Sequence, residues 1–139
     1  MNCPIAPYRP LSIVLMLCTI VMIVAAGMSV DVSAQTMTIN GAQVHVRENV
    51  LMVVNGDVQH LSGEVRVYDD ATLRVRGTAR LFQGGWYMLL DAYVQVVNDL
   101  HISIYGTCWR YAAGSLDVEG SIFNDGDLNN EGEINIGRP

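Results

Sequence analysis

The feature of this sequence that most constrains its fold is that it aligns with itself at a shift of 21 residues. "AQVHVRENVLMVVNG" (42–56) lies over "GEVRVYDDATLRVRG" (63–77), and that lies over "GGWYMLLDAYVQVVN" (84–98). A shift of 22 then reaches "GTCWRYAAGSLDVEG" (106–120). Five columns run through the alignment: Val44, Val65, Trp86, Cys108; Val46, Val67, Met88, Arg110; Met52, Leu73, Val94, Leu116; Val54, Val75, Val96, Val118; and Val58, Ala79, Leu100, Ile122. Nineteen of these twenty positions are apolar in a chain that is 50% hydrophobic, so composition alone does not produce the columns. An internal period of this length marks stacked units, each of which buries its inner face only against its neighbours.

Turn residues fall into columns of their own. Gly56, Gly77, Asn98 and Gly120 make one; Gly63, Gly84 and Gly106 follow Ala42 in a second; Asn49, Asp70 and Asp91 precede Ala113 in a third. Gly, Asn and Asp tolerate the positive φ that sharp corners demand. Three corners in 21 residues leave seven residues per side. Within each side the apolar residues alternate, as in Val65-x-Val67 and Leu73-x-Val75, which is the pattern of a half-buried strand. The fold class this predicts is all-β: a short, single-stranded, three-sided β-solenoid of about five coils of 18–22 residues. At the ~4.8 Å spacing of paired strands the rod is about 24 Å long.

From residue 114 the period shortens. In "GSLDVEGSIFNDGDLNNEGEINIG" (114–137) a glycine at 114, 120, 126 and 132 precedes an inward aliphatic by two residues: Leu116, Ile122, Leu128 and Ile134. Six residues per side predict a tighter final triangle, its polar filling turned to water.

The other end of the chain is different in kind. Residues 11–28, "LSIVLMLCTIVMIVAAGM", are an uncharged apolar run preceded by Arg9 and followed by "SVDVSAQ". Val32 and Ala34 fit the small-x-small pattern of signal peptidase, so residues 1–34 are expected to be a signal peptide cleaved after Ala34. The alternative is an uncleaved anchor, because eighteen apolar residues nearly span a bilayer. Residues 35–139 are then the solenoid domain, complete or the start of a longer repeat region. Cleavage removes Cys3 and Cys18 and leaves Cys108 with no intramolecular partner. The remaining part has no lysine, seven arginines and thirteen acids, a net charge of −6. That balance excludes a nucleic-acid binder and a ligand of anionic membranes, both of which need a basic face. Contact with a membrane is expected only through residues 11–28, if they are retained.

Several families share these patterns. The tail resembles the Gly/Asn-rich hexad repeats, of the form G-x-[LI]-x-N-x, of large exported bacterial surface proteins with β-helical passenger or stalk regions. Read as [LI]-x-x-x-G-x, it is similar to the hexapeptide repeat of left-handed β-helix acyltransferases. It departs from that family over 42–113, where the sides are seven long, and no histidine stands in a repeat corner. The stretch "VNGDVQHLSGEVRV" (54–67) looks like the coils of bactofilins, bacterial β-helical proteins that polymerise. What the three resemblances share, and imply here, is a solenoid.

Candidate chemistry is sparse. His45, His60 and His101 occupy different columns without a second ligand nearby, and are expected at the surface or in turns rather than on a metal. "DGDLNNEGE" (125–133) aligns oxygen side chains, but an EF-hand needs Gly and Glu where Asn130 and Ile136 stand. Cys108 is expected to be an inert buried thiol. Arg110, alone among apolar columns, is expected either to turn outward through a bulge near the one-residue insertion or to mark a break in register. Arg66, Arg74, Arg76 and Arg80 are expected to form a cationic patch balanced by Asp69, Asp70 and Asp91. The binding candidates are Tyr87, Trp109 and Arg66, which share an outward column with His45. Stacked aromatics on such a face bind sugar rings or pack on one another across strands.

No pair of acids is singled out for catalysis, so the chain is not expected to be an enzyme, and no metal or cofactor is expected. The reading that follows is an exported structural or adhesive solenoid module at the bacterial cell surface. One alternative is a carbohydrate- or partner-binding module using the aromatic face, and another is a truncated part of a larger surface protein. The expected partners are surface glycans and further copies of the chain added at open solenoid ends.

Overall fold

A computed structural model describes residues 21–22, 29–32, 35–111 and 113–137. Among them no helix forms. The strands, in chain order, are β1 (Val21–Met22), β2 (Ser29–Val32), β3 (Thr36–Ile39), β4 (Ala42–Val46) and β5 (Leu51–Val54). They continue with β6 (Asp57–His60), β7 (Gly63–Val67), β8 (Thr72–Val75), β9 (Ala79–Met88) and β10 (Tyr93–Val96). The last are β11 (Leu100–Arg110), β12 (Ser115–Val118), β13 (Ile122–Asn124), β14 (Asp127–Asn130) and β15 (Glu133–Ile136). Every pairing is parallel and joins one coil to the next.

The strands build the three sides of a prism. One side is the six-stranded sheet β2-β5-β8-β10-β12-β15. The second contains β3, β6 and β13 together with the first halves of β9 and β11. The third contains β1, β4, β7 and β14 with their second halves. Because β9 and β11 bend through a corner without losing their pairing, these two sides merge into one nine-stranded sheet. The protein is therefore a three-sided β-solenoid of about five coils, as the 21-residue period predicts. The leader expected over 1–34 lies largely outside the described residues. Its described part includes β2, which pairs with β5 residue for residue from Ser29↔Leu51 to Val32↔Val54.

The predicted columns pile up inside the prism. Val54, Val75, Val96 and Val118 are register partners in succession and are 0%, 0%, 0% and 1% exposed. Val65, Trp86 and Cys108 do the same on the third side, and Leu100 stacks between Ala79 and Ile122 on the second. Each fully buried aliphatic of this kind contributes roughly 1.5–3 kcal/mol of transfer free energy. A further inward column was not expected: Ile39, His60, Leu81 and Ile102 are successive partners and all buried. His60 is thus a core residue, not a surface or turn histidine, because it lies two positions beyond inward Val58 on the same strand. His45 and His101 do face outward, and the latter ring stacks on Phe123 at 4.6 Å.

The corners carry the conformations the turn columns predict. Tight turns close with amide-to-carbonyl bonds from Val50 to Arg47, Ala71 to Tyr68, Ala92 to Leu89 and Gly114 to Tyr111. Positive φ falls on Asn49 and Asp70 as expected, but in the third coil it falls on Leu90 rather than Asp91. At the next corner Gly63 and Gly84 have φ of 104° and 97°, and a Cβ on either would strike the backbone of the coil before. The third corner is laced by carboxylates: Asp57 accepts from the Thr78 amide at 2.8 Å, and Asp99 from that of Ser121 at 2.9 Å.

The period changes at identifiable places. The extra residue sits at Ser103–Ile104, where Ile102 pairs with Leu81 but Tyr105 already pairs with Gln83. This bulge pushes Ile104 and Tyr105 out of the corner to 70% and 74% exposure. In the tail Ser115 pairs with Glu133 and Leu116 with Ile134, a coil of 18 residues, and Ile122, Leu128 and Ile134 pack inward against the core.

Arg110 neither turns outward nor breaks the register. It pairs with Met88 and Asn130, points inward and is 1% exposed. The bulge lies too far upstream to re-aim it. Instead its guanidinium donates to the Gly114 carbonyl and to Asn130 Oδ1, so the polar member of the shortened coil receives the charge.

Candidate functional site

The third side presents the richest outward chemistry. The period-2 pleat that sends Val44, Val46, Val65, Val67, Trp86 and Met88 inward sends the residues between them outward. His45, Arg66, Tyr87, Trp109 and Asn129 are successive register partners, one coil apart. The structure therefore brings all three expected binding residues, Arg66, Tyr87 and Trp109, into one outward column.

Their rings do not form a simple stack. Tyr87 lies back over Gly85: a Cβ built on that glycine would come within 2.5 Å of the Tyr87 ring. The half-buried ring thus rests on bare backbone, with the Arg66 guanidinium over it, 5.7 Å from its centroid. Trp109, 37% exposed, leans the other way, toward Tyr111, with centroids 6.2 Å apart and planes tilted by 48°. Two aromatic platforms result, side by side on a rigid sheet.

The N-terminal end of the column is polar. Tyr68 Oη and Arg47 Nη2 lie 3.1 and 3.2 Å from His45 Nδ1. The Arg47 guanidinium stands 4.5 Å over the Tyr68 ring, and Arg66 pairs with Glu64 at 2.6 Å. Burial, with Arg47 and then Arg66, pushes the His45 pKa below its usual 6.5, and Glu64 opposes them. Arg47, Tyr68 and Gly85 escaped the sequence reading. The first two follow the column Val46, Val67 directly and were legible by extending it one residue; nothing in the periodicity announces that Gly85 is a seat for a ring.

The expected arginine patch does not assemble. Arg74 lies outward on the six-stranded sheet between Val53 and Gln95. Arg80 is on the second side, 3.4 Å from Asp57, and Arg66 is on the third. Spacings of eight and six residues from Arg66 to Arg74 to Arg80, in a coil of seven-residue sides, put these three charges on different sides of the prism. Trp86 is core, at 2% exposure, and Cys108 is fully buried, its thiol pKa pushed up to about 12 chiefly by burial. Such a thiol is not a nucleophile at neutral pH.

One depression competes with the aromatic face. A polar hollow of about 460 Å³ at the third corner is lined by Thr78, Asn98, Asp99, Glu119 and Gly120 among others. Its carboxylates are already engaged, Asp99 by the Ser121 amide and Glu119 by Gln95 at 2.8 Å. The aromatic face keeps Trp109 and Tyr111 partly exposed, whereas two carboxylates of the hollow are already held by the protein.

No protein-family model, curated protein or solved structure matches the chain. Fold and face by themselves define its class: a parallel, three-sided β-solenoid with an aromatic column on one side.

Proposed function

We propose that this chain is an exported, non-catalytic adhesive module at the bacterial cell surface, which holds saccharide chains along its aromatic side. The observation that carries this reading is the Tyr87 ring seated over Gly85 on the same side as the partly exposed Trp109–Tyr111 pair. A sugar ring stacks its C–H face on such a platform, and strands paired to the coils on both sides hold the platforms in place, which lowers the ordering cost of binding. The apolar run at 11–28 with the cleavage pattern before Gln35 supports export, where glycans are met.

Binding to a glycan array tests the proposal. The expected result is a set of hits that Trp109→Ala weakens severalfold or more. Trp109 is partly exposed and outside the core, so the variant is expected to unfold at the same denaturant concentration as the parent. An array without hits, together with a variant indistinguishable from the parent in cell-surface adhesion, sinks the reading.

A further inference from the structure

Resting on that reading, we infer that the glycan is acidic: His45, Arg47 and Arg66, gathered round Tyr68 at the N-terminal end of the aromatic column, form a site for a sugar carboxylate. Three cationic or protonatable groups converge there from two adjacent coils of a chain whose net charge is −6. Among the described residues only Glu64 pairs with either arginine. Glu48, Asp69 and Asp70 occupy exposed turns beyond the ends of β4 and β7. Tyr68 serves as the floor. Its ring underlies Arg47, and its hydroxyl, with Arg47, fixes the His45 ring through Nδ1. Arg47 makes no ion pair among the described residues, so its charge is not neutralised there. Guanidinium forks match the planar carboxylate, and charge-assisted bonds of this type are the stronger class.

The link to the platforms is Arg66. It occupies the coil between His45 and Tyr87 and approaches the Tyr87 ring, so a sugar stacked on Tyr87 lies next to the cations. The groups facing His45 are Arg47, just past the end of its own strand, Glu64 and Arg66 on β7, and Tyr68 just past the end of β7. Of these the two arginines disfavour the imidazolium. A bound carboxylate favours it and reverses the shift.

The experiment uses one polymer in two charge states. Polygalacturonate and its fully methyl-esterified form are titrated into the protein at low and moderate salt, with His45 followed by NMR. The acidic polymer is expected to bind about tenfold more tightly than the ester, the effect of one charge-assisted hydrogen bond. That preference is expected to shrink with salt and to be lost in Arg66→Gln, whose exposed side chain can be changed without disturbing the core. Bound polygalacturonate is expected to raise the His45 titration midpoint; the ester is not. Equal affinity for both polymers, or an Arg66→Gln variant that keeps the preference, overturns the acidic-glycan inference and leaves the aromatic platform standing. Binding of neither polymer, in a protein that also finds no neutral glycan, overturns both.

Discussion

His60 shows most directly how a single side chain sets the behaviour of the whole. It is fully buried between Ile39 and Leu81, and neither ring nitrogen has a hydrogen-bond partner among the described residues. Burial pushes its pKa below 6.5, with the Ser62 and Gly63 backbone opposing in part. The folded state therefore keeps His60 neutral, while the unfolded chain takes up a proton as pH falls through about 6.5. The fold is therefore at its most stable with respect to this group above that pH, and stability is lost progressively below it. His60→Leu, which continues an aliphatic column, is expected to raise stability by about 1–2 kcal/mol and to flatten its decline below about pH 6.5. Urea unfolding at several pH values measures both; an unchanged slope shows that another group causes the decline.

At the level of strands, Arg110 on β11 ties the seven-residue sides to the six-residue ones. Its bonds to Gly114 and Asn130 span the coil in which the period shortens. Arg110→Ala leaves the buried Gly114 carbonyl without its side-chain donor, leaves Asn130 Oδ1 with the Gly132 amide alone and opens a void, and is expected to cost about 3 kcal/mol. Arg110→Met fills the void without a buried charge and is expected to stay within about 1 kcal/mol of the parent. Denaturation midpoints of the two variants separate these outcomes, and equal losses would mean that the hydrogen bonds, not the packing, carry the joint. The same strand shows what a sequence can and cannot disclose. The Val54 and Val65 columns were legible because like residues stack on like at a fixed interval. Arg110 was not, because its compensation comes from Asn130, a residue that reads as a solvated turn. Arg47 and Gly85 were missed for a related reason: their roles depend on where the Tyr68 and Tyr87 rings fall, and rotamers leave no periodic trace.

For the molecule as a whole, each coil touches only its neighbours, so stability accumulates along the axis and an error in one coil stays local. The bulge at Ser103–Ile104 already demonstrates this: one surplus residue leaves the corner, and β11 resumes its pairing with β9 from Tyr105 onward. Loop length enters closure entropy only logarithmically. A guest peptide of about five residues placed between Ser103 and Ile104 is therefore expected to lower stability by no more than about 1 kcal/mol. The same insert between Gln95 and Val96, inside β10, is expected to prevent folding, and circular dichroism of the two proteins compares them. The tip that thrusts Ile104 and Tyr105 into water can thus serve as a display post, on which an epitope or fluorophore rides at a known height along a stiff pillar.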